Sequence, residues 1–137
     1  KRVLVTGHTV FKGSWLTLLL KGLGAEVVGI SLQPDGSQSL YIDGFIGEEV
    51  ALEFFLDIRD RDALENAIKI ARVDYVFHLA AESRIQPSIE NPLHAVNVNV
   101  IGTTNILQCS LKYKIKVQKR KFWCSSSTFL TFININI

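Results

Sequence analysis

Short apolar runs alternate along this chain with segments whose apolar residues recur at helical spacing. Four of the runs predict β-strands: Val3–Val5, Glu26–Ser31, Leu52–Leu56 and Asp74–Ala81. The spaced segments predict three helices: Lys12–Leu23, Arg61–Arg72 and Asn91–Lys112. This alternation is typical of a parallel sheet with helices on both faces. We therefore expect an α/β fold, a Rossmann-like doubly wound parallel sheet of about five strands.

Local signals define where the first two helices begin and end. Gly24 is expected to end the first helix. The second helix has two candidate caps, Asp60 alone or Asp62 acting with Glu65 as a capping box. One face of that second helix carries Leu64, Ile68 and Ala71. Between these helices, Leu32–Gly47 is expected to be a loop with at most a short irregular element.

The third helix opens at Pro92 and carries a regularly spaced stripe that we expect to serve the core: Val96, Val100, Thr103, Leu107 and Leu111. A fifth strand is predicted at Phe122–Ser126, which would complete one domain over residues 1–127. The tail, Thr128–Ile137, has a different composition and ends in a strict Ile/Asn alternation. Two interpretations of this tail stay open: an edge strand, or an out-of-frame segment of an A/T-rich gene.

Composition restricts the class of protein. A chain of 137 residues that is 47% hydrophobic can bury a single core, and two cysteines do not form a disulfide framework. A reducing, cytoplasmic location is therefore expected. Two uncharged stretches do not predict a membrane span, because Asn91–Leu111 contains four asparagines and Phe122–Ile137 is too short.

The charges are unevenly distributed. Residues 1–90 hold all 13 acidic residues and have a net charge of −4, whereas residues 91–137 have a net charge of +6. The basic residues cluster at the end of the third helix: Lys112, Lys114, Lys116, Lys119, Arg120 and Lys121. A nucleic-acid patch would need aromatic platforms and a recognition motif, so we favour a solvated helix end and expect no nucleic-acid partner.

The turn between the first strand and the first helix carries the most informative motif, Thr6-Gly7-His8-Thr9-Val10-Phe11-Lys12-Gly13-Ser14. Glycines at such a turn allow a diphosphate to approach the positive end of the helix. A P-loop would place its lysine after the last glycine, whereas Lys12 precedes Gly13. The motif therefore favours a dinucleotide over a nucleoside triphosphate.

This motif resembles the cofactor loop of the extended short-chain dehydrogenase/reductases that act as NAD-dependent nucleotide-sugar epimerases and dehydratases. Its version with His8, Lys12 and Trp15 is most similar to the CDP-glucose 4,6-dehydratase branch. Four further segments match the family in order and spacing: Asp57-Ile58-Arg59-Asp60, His78-Leu79-Ala80-Ala81-Glu82-Ser83, Asn99-Val100-Ile101-Gly102-Thr103 and Phe122-Trp123-Cys124-Ser125-Ser126-Ser127.

The resemblance implies an NAD site, a nucleotide-sugar substrate and hydride transfer at the sugar 4-position, followed by 4-epimerisation or 4,6-dehydration. It also implies a homodimer formed through the long helix. The implied cofactor residues are Gly7, Thr9, Val10, Phe11, Gly13, Asp35, Asp57, Ile58, Leu79, Ala80 and Ala81. Glu82 and Ser83 are implied to contact the substrate, and Ser127 to supply the catalytic hydroxyl. NADP stays an alternative, since the ribose position offers Ser31, Gln33 and Asp35.

The chain also departs from the family pattern. Val10 replaces the middle glycine, which predicts weakened cofactor binding. No Tyr-x-x-x-Lys pair, the family's catalytic base and its partner, occurs in the 137 residues. The alternative interpretation is therefore a truncated or frameshifted remnant that binds nucleotide without catalysis. His8, His78 and His94 show no metal-ligand spacing, and Cys109 is expected to pack inside a helix.

Overall fold

The computed structural model describes residues 1–36 and 38–117, and within them five parallel strands form one sheet. The strands are β1 (Arg2–Thr6), β2 (Glu26–Ser31), β3 (Leu52–Phe55), β4 (Tyr75–His78) and β5 (Lys116–Val117). Their order is β3-β2-β1-β4-β5, so the chain winds outward from β1 first in one direction and then in the other. This topology confirms the predicted doubly wound fold.

In the same described ranges, seven α-helices connect the strands: α1 (Phe11–Gly22), α2 (Leu40–Asp43), α3 (Ile46–Glu49), α4 (Arg61–Ala71), α5 (Ile85–Glu90), α6 (Pro92–Val96) and α7 (Thr103–Lys112). A π-helical turn, Asn97–Gly102, joins α6 to α7 without interruption. We call the continuous segment over residues 92–112 the long helix. It begins at Pro92, as predicted.

The core lies on both faces of β1 because successive side chains of a strand point to opposite faces. Leu4 lies beside Val28 and Val76 in the sheet and packs into the cluster that α4 and α7 cover. Val3 and Val5, which point the other way, are also buried. On the α4 side the cluster includes Leu64, Ile68 and Ala71, the face that the sequence predicted.

Two predicted helix boundaries are confirmed. Gly24 follows α1 with a φ of 78°, a left-handed conformation that glycine adopts without strain. Asp60 rather than Asp62 caps α4, because a carboxylate oxygen of Asp60 accepts from the Ala63 N–H at 3.0 Å. The proposed capping box of Asp62 and Glu65 is therefore wrong.

Of four other predictions, two need correction and two lie outside the described residues. The segment 32–47 begins as a loop but contains two short helices, α2 and the start of α3, where at most one short irregular element was expected; Ser39 caps α2 and Ile46 is fully buried. The fourth strand ends at His78 instead of Ala81: the Leu79 N–H still donates to the Thr6 carbonyl at 3.1 Å, but the Ala80 N–H turns to the Thr6 hydroxyl at 3.2 Å. The predicted strand Phe122–Ser126 and the tail lie outside the described residues.

The long helix packs with a different face from the one predicted. Val96 and Val100 are each 53% exposed and Leu111 is 44% exposed. The inward side carries one large apolar residue, Ile106, and otherwise small and polar residues: Gly102, Asn105, Cys109 and Ser110. Asn105 can be buried because its amide donates to the carbonyls of Ile58 and Arg59 at 3.0 and 3.1 Å. Val96, Val100 and Leu111 of the predicted stripe therefore lie on an outer face, whereas Thr103 turns its hydroxyl to His78.

Burial agrees with the structural role predicted for Cys109, whose side chain is 2% exposed. Desolvation raises the pKa of this thiol, which disfavours the reactive thiolate. Within the part of the chain that the structure describes, no helix has the length and apolar character to span a membrane.

Candidate functional site

The bend between β1 and α1 is built by two positions that exclude a side chain. Gly7 has a φ of 73°, and a Cβ placed on it would lie 2.9 Å from the Ala80 nitrogen. A Cβ on Gly13 would lie only 1.9 Å from the Gly7 carbonyl oxygen. The start of α1 therefore lies directly against the end of β1. Glycines at a strand-to-helix turn allow this close approach of backbone to backbone.

The N-terminus of α1 is open to an anion. Val10 is the N-cap residue, and its side chain accepts no hydrogen bond from the helix. The first turn of α1 contains no acidic residue, and the leading N–H groups of a helix have no carbonyl acceptor within it. Their partial positive charge, together with the helix dipole, favours a phosphate at this end.

This helix end opens onto a cleft of about 350 Å³ at the carboxyl ends of β1–β4. The cleft brings together nine of the residues singled out from the sequence: Gly7, Thr9, Val10, Asp35, Asp57, Ile58, Ala80, Ala81 and Glu82. Four others lie off its wall: Phe11, Gly13, Leu79 and Ser83. Phe11 is 69% exposed and contacts the Trp15 ring edge-on, and Gly13 lies beneath the bend. Ser127 lies outside the described residues.

The cleft wall also contains ten residues that were not assigned to the cofactor or the substrate from the sequence: Ser31, Leu32, Gln33, Pro34, Ser39, Leu56, Arg59, Arg84, His94 and Val98. Ser31 and Gln33 had been considered for the ribose, and Arg59 belongs to a matched segment. Arg84 and His94 carried no signal, because α5 and the start of the long helix turn them toward the cleft only in the folded chain.

An ion pair occupies the β3 side of the cleft. The Arg59 guanidinium donates to both carboxylate oxygens of Asp57, from Nε at 3.0 Å to each and from Nη2 at 2.5 Å to Oδ2. These bonds lower the pKa of Asp57, although desolvation opposes the shift. Nη1 of Arg59 lies 3.4 Å from Nδ1 of His94, which ties the pair to the long helix.

A second ion pair stands on the β4 side. Arg84 Nη2 lies 2.9 Å from Glu82 Oε2, and this bond lowers the pKa of Glu82. The backbone of Glu82 is paired twice with Asn99, through its N–H at 2.9 Å and its carbonyl at 3.0 Å. Asp35, across the cleft, contributes to the raised pKa of Arg84 after Glu82. The cleft therefore holds its two guanidinium groups close to carboxylates.

His8 fastens the bend to the outer strands. Its side chain is fully buried, and its Nε2 lies 2.6 Å from Glu53 Oε1 on β3. The Tyr41 hydroxyl donates to the same oxygen at 2.7 Å, and desolvation together with Glu53 raises the pKa of Tyr41 to about 12. The imidazole fills the space beside Gly29, where a Cβ would lie 2.7 Å from the ring. Nδ1 of His8 has no hydrogen-bond partner among the described residues.

A shorter link fixes the next residue of the bend. The Thr9 hydroxyl lies 2.6 Å from the Ser31 hydroxyl at the end of β2, on the cleft wall. In residues 1–36 and 38–117, no three or more His, Cys, Asp or Glu side chains are grouped as metal ligands. The arrangement places a helix end open to the cleft beside polar groups of the adjoining strands.

Comparison with known proteins identifies the family. Residues 4–129 match the model of the family described as GDP-mannose 4,6 dehydratase. The chain belongs to the GDP-mannose 4,6 dehydratase family. Among the curated relatives of this family member are a CDP-glucose 4,6-dehydratase of Salmonella typhimurium, 41% identical over 113 residues, and a putative UDP-glucose 4-epimerase of Methanocaldococcus jannaschii, 44% identical over 114 residues. This membership confirms the resemblance stated above.

The match covers most of this family member and a minor part of its relatives. The two alignments span 79% and 82% of the chain but 30% and 35% of the relatives, so the chain spans about a third of their length. Among solved structures, the UDP-glucose 4-epimerase of Thermus thermophilus in complex with NAD is similar, with a TM-score of 0.72 and 30% identity. That likeness covers 85% of this chain and 36% of the epimerase.

Proposed function

We propose that this chain is the cofactor-binding portion of an NAD-dependent nucleotide-sugar epimerase or dehydratase. The observation that carries the proposal is the bend after β1, where Gly7 and Gly13 leave no room for a side chain and the uncapped end of α1 opens into the cleft. Family membership and the likeness to an NAD complex support it.

The residues present fit a dinucleotide. The leading N–H groups of α1 would receive the diphosphate, and the backbone of Ala80 and Ala81 would form the opposite wall. Asp57 and Ile58, at the end of β3, would border the adenosine half. When bound, NAD supplies the hydride acceptor for oxidation of the sugar 4-hydroxyl. The chain's own residues would bind and orient the cofactor, and Glu82 on the cleft wall would contact the substrate.

Charge in the cleft favours NAD over NADP. The wall carries Asp35, Asp57 and Glu82 against Arg59 and Arg84, and both guanidinium groups already pair with carboxylates. A 2′-phosphate would bring two more negative charges to a wall whose charged side chains sum to a negative value. NADP is therefore expected to bind more weakly.

Titration calorimetry on the 137-residue chain tests both statements. NAD should give a saturable binding isotherm, and NADP an affinity at least about tenfold lower at low ionic strength. Gly7→Val should abolish the isotherm, because its side chain would meet the Ala80 backbone. Absence of NAD binding by the folded chain would overturn the proposal. We expect no oxidation of UDP-, CDP- or GDP-sugars by these residues alone, because they contain no Tyr-x-x-x-Lys pair.

The outer face of the long helix supports a homodimer. Leu93, Val96, Val100, Leu107 and Leu111 recur along the long helix at intervals of three, four or seven residues, the spacing with which two helices interlock. Leu93 is 69% exposed, and Val96 and Val100 are each 53% exposed. Residues 91–111 contain no Asp, Glu, Lys or Arg, so two copies would meet without repulsion between like charges.

Sedimentation velocity over a concentration series tests the dimer. The wild-type chain should sediment as a dimer at micromolar concentration and Val100→Lys as a monomer. Ile70→Lys is the matched control, since Ile70 is 61% exposed on α4 rather than on the long helix, and should leave the dimer intact. A monomeric wild-type chain would contradict the dimer without affecting the NAD proposal.

A further inference from the structure

One imidazole joins the three elements that meet beneath the cleft. His78, the last residue of β4, lies between Thr6 at the end of β1 and Thr103 at the start of α7. Its Nδ1 is 2.6 Å from the Thr6 hydroxyl oxygen, and its Nε2 is 3.0 Å from the Thr103 hydroxyl oxygen. From the sequence, His78 has no role beyond its place in a matched segment.

The direction of these hydrogen bonds follows from the other partners of Thr6. Its hydroxyl oxygen accepts from the Ala80 N–H at 3.2 Å and shares the Leu79 N–H, at 3.1 Å, with the Thr6 backbone carbonyl. With two donors already directed at this oxygen, the favoured arrangement is that the hydroxyl donates its own hydrogen to Nδ1 of His78. Nδ1 is then unprotonated, and the neutral ring carries its hydrogen on Nε2, which donates to Thr103. Burial lowers the pKa of His78 to about 4, in agreement with a neutral ring.

The consequence reaches the cleft through the backbone. The Thr6 hydroxyl accepts from the Ala80 N–H just beyond the end of β4, where the backbone hydrogen bonds of the sheet have stopped. The Ala80 nitrogen is also the atom that a Cβ on Gly7 would approach within 2.9 Å. Ala80 and Gly7 face each other on the cleft wall. A rotated Thr6 hydroxyl would direct its hydrogen at these N–H groups and push the wall away from the bend.

We propose that His78 is a positioning residue for the cofactor cleft: it orients the Thr6 hydroxyl, which in turn holds the Ala80–Ala81 backbone against the bend at Gly7. This inference rests on the proposed function in one respect, namely that the ligand held by the cleft wall is NAD. The hydrogen-bond relay itself, Thr6 to His78 to Thr103, can be measured without any ligand.

The first experiment is ¹⁵N NMR of the imidazole groups in the full chain at neutral pH, with His78→Gln used to assign the His78 signals among the three histidines. We expect the neutral ring with hydrogen on Nε2, and loss of that preference in Thr6→Val. A ring protonated on Nδ1 in the wild-type chain would overturn the relay. This measurement does not depend on a variant that binds NAD.

The second experiment is NAD titration of a matched set at position 78. Asn places a polar atom near the position of Nδ1, Gln near that of Nε2, and Leu at neither. We expect His78→Asn to keep the affinity within about threefold, and His78→Gln and His78→Leu to lose about tenfold, the equivalent of one hydrogen bond. In Thr6→Val, which removes the hydroxyl, His78→Leu should cause no further loss.

The outcomes separate the two proposals. If the wild-type chain does not bind NAD, the proposed function fails, while the imidazole signals still test the relay. If the wild-type chain binds NAD and the Asn, Gln and Leu variants bind equally well, His78 has no positioning role. Circular dichroism of each variant identifies any that fails to fold. In that case the ¹⁵N signals of the wild-type chain and the NAD affinity of the folded Asn variant decide whether His78 has a positioning role.

Discussion

The bend after β1 is tightly packed, whereas the outer face of the long helix exposes apolar side chains. At the bend, Gly7 and Gly13 remove side chains so that backbone can pack on backbone, and His8 is fully buried with a carboxylate partner. On the outer face, Leu93 and Val96 are more than half exposed. The bend is complete within these residues, whereas the outer face still exposes apolar surface that a partner could bury.

The largest expected effect breaks the bend. Gly13→Ala would place a Cβ 1.9 Å from the Gly7 carbonyl oxygen, so either α1 or the end of β1 must move. We expect a loss of more than about 4 kcal/mol in the free energy of unfolding, together with loss of NAD binding. Urea unfolding followed by circular dichroism measures the first quantity.

Gly22→Ala provides the matched control in the same helix. Nothing lies within 4 Å of a Cβ at Gly22, and the residue has ordinary helical geometry. The substitution should stabilise the protein by up to about 1 kcal/mol, through helix propensity and reduced freedom of the unfolded chain. Equal stability of the two variants would show that the bend tolerates a side chain and would remove the basis of the comparison.

The second prediction compares the two sides of the long helix with one substitution. Ile106 is 1% exposed against the sheet, whereas Ile101 is 47% exposed. Ile106→Ala should cost about 3 kcal/mol of unfolding free energy, because it leaves a cavity in the core. Ile101→Ala should change it by less than about 0.5 kcal/mol when measured at low protein concentration. Similar costs for both would mean that the outer face is buried in the folded chain.

The long helix also marks a limit of sequence interpretation. Its periodicity gave its start and its extent correctly, but the most apolar stripe was assigned to the core. The inward side is instead made by Gly102, whose missing side chain admits Ile58, and by Asn105, whose amide satisfies two backbone carbonyls. A count of apolar positions cannot recognise a face that packs through small size and hydrogen bonds.

The residues of the cleft also differ in how far the sequence predicts them. The bend could be predicted because its two glycines lie within seven consecutive residues and have one physical explanation. By contrast, Thr6 and His78 are hydrogen-bond partners that lie 72 residues apart in the chain. Arg84 reaches the cleft from the position before α5, a helix that the sequence pattern did not predict. Contacts of that range depend on strand order and register, which local spacing does not encode.

The third prediction uses pH to test the polar interior beneath the cleft. The pKa of His78 is about 4 in the folded chain, below the ordinary value of 6.5. The folded state therefore binds fewer protons than the unfolded state between these values, so this contribution to stability is complete above pH 6.5 and is lost as the pH falls toward 4. From pH 7 to pH 5 the loss should reach up to about 2 kcal/mol.

Urea unfolding of the wild-type chain and of His78→Gln at pH 7, 6 and 5 measures this loss. The Gln variant lacks the titrating ring but keeps His8 and His94, so the difference between the two curves isolates His78. The wild-type chain should lose more stability than the variant over this range. Parallel curves would mean that the His78 ring titrates equally in the folded and unfolded chains.

The smallest expected effect concerns Val10, the one residue of the bend that departs from the family pattern. Val10 has a φ of −85° and a ψ of 160°, an extended conformation that valine adopts without strain, and its side chain is 50% exposed at the cleft. Any effect on NAD must therefore come from the bulk of the side chain rather than from the backbone. Val10→Gly should raise the NAD affinity by about three- to tenfold and lower the stability by less than about 1 kcal/mol.

Val10→Ala tells which atoms of that side chain matter. If the Cβ itself keeps the diphosphate from the end of α1, Ala will bind NAD as weakly as Val does, and only Gly will gain affinity. If the two γ-methyl groups are the obstacle, Ala and Gly will gain alike. Calorimetric titration of the three forms at one ionic strength distinguishes these cases. Equal affinities would mean that the bend accommodates a β-branched residue beside the diphosphate, and that this departure from the family pattern does not weaken the cofactor site.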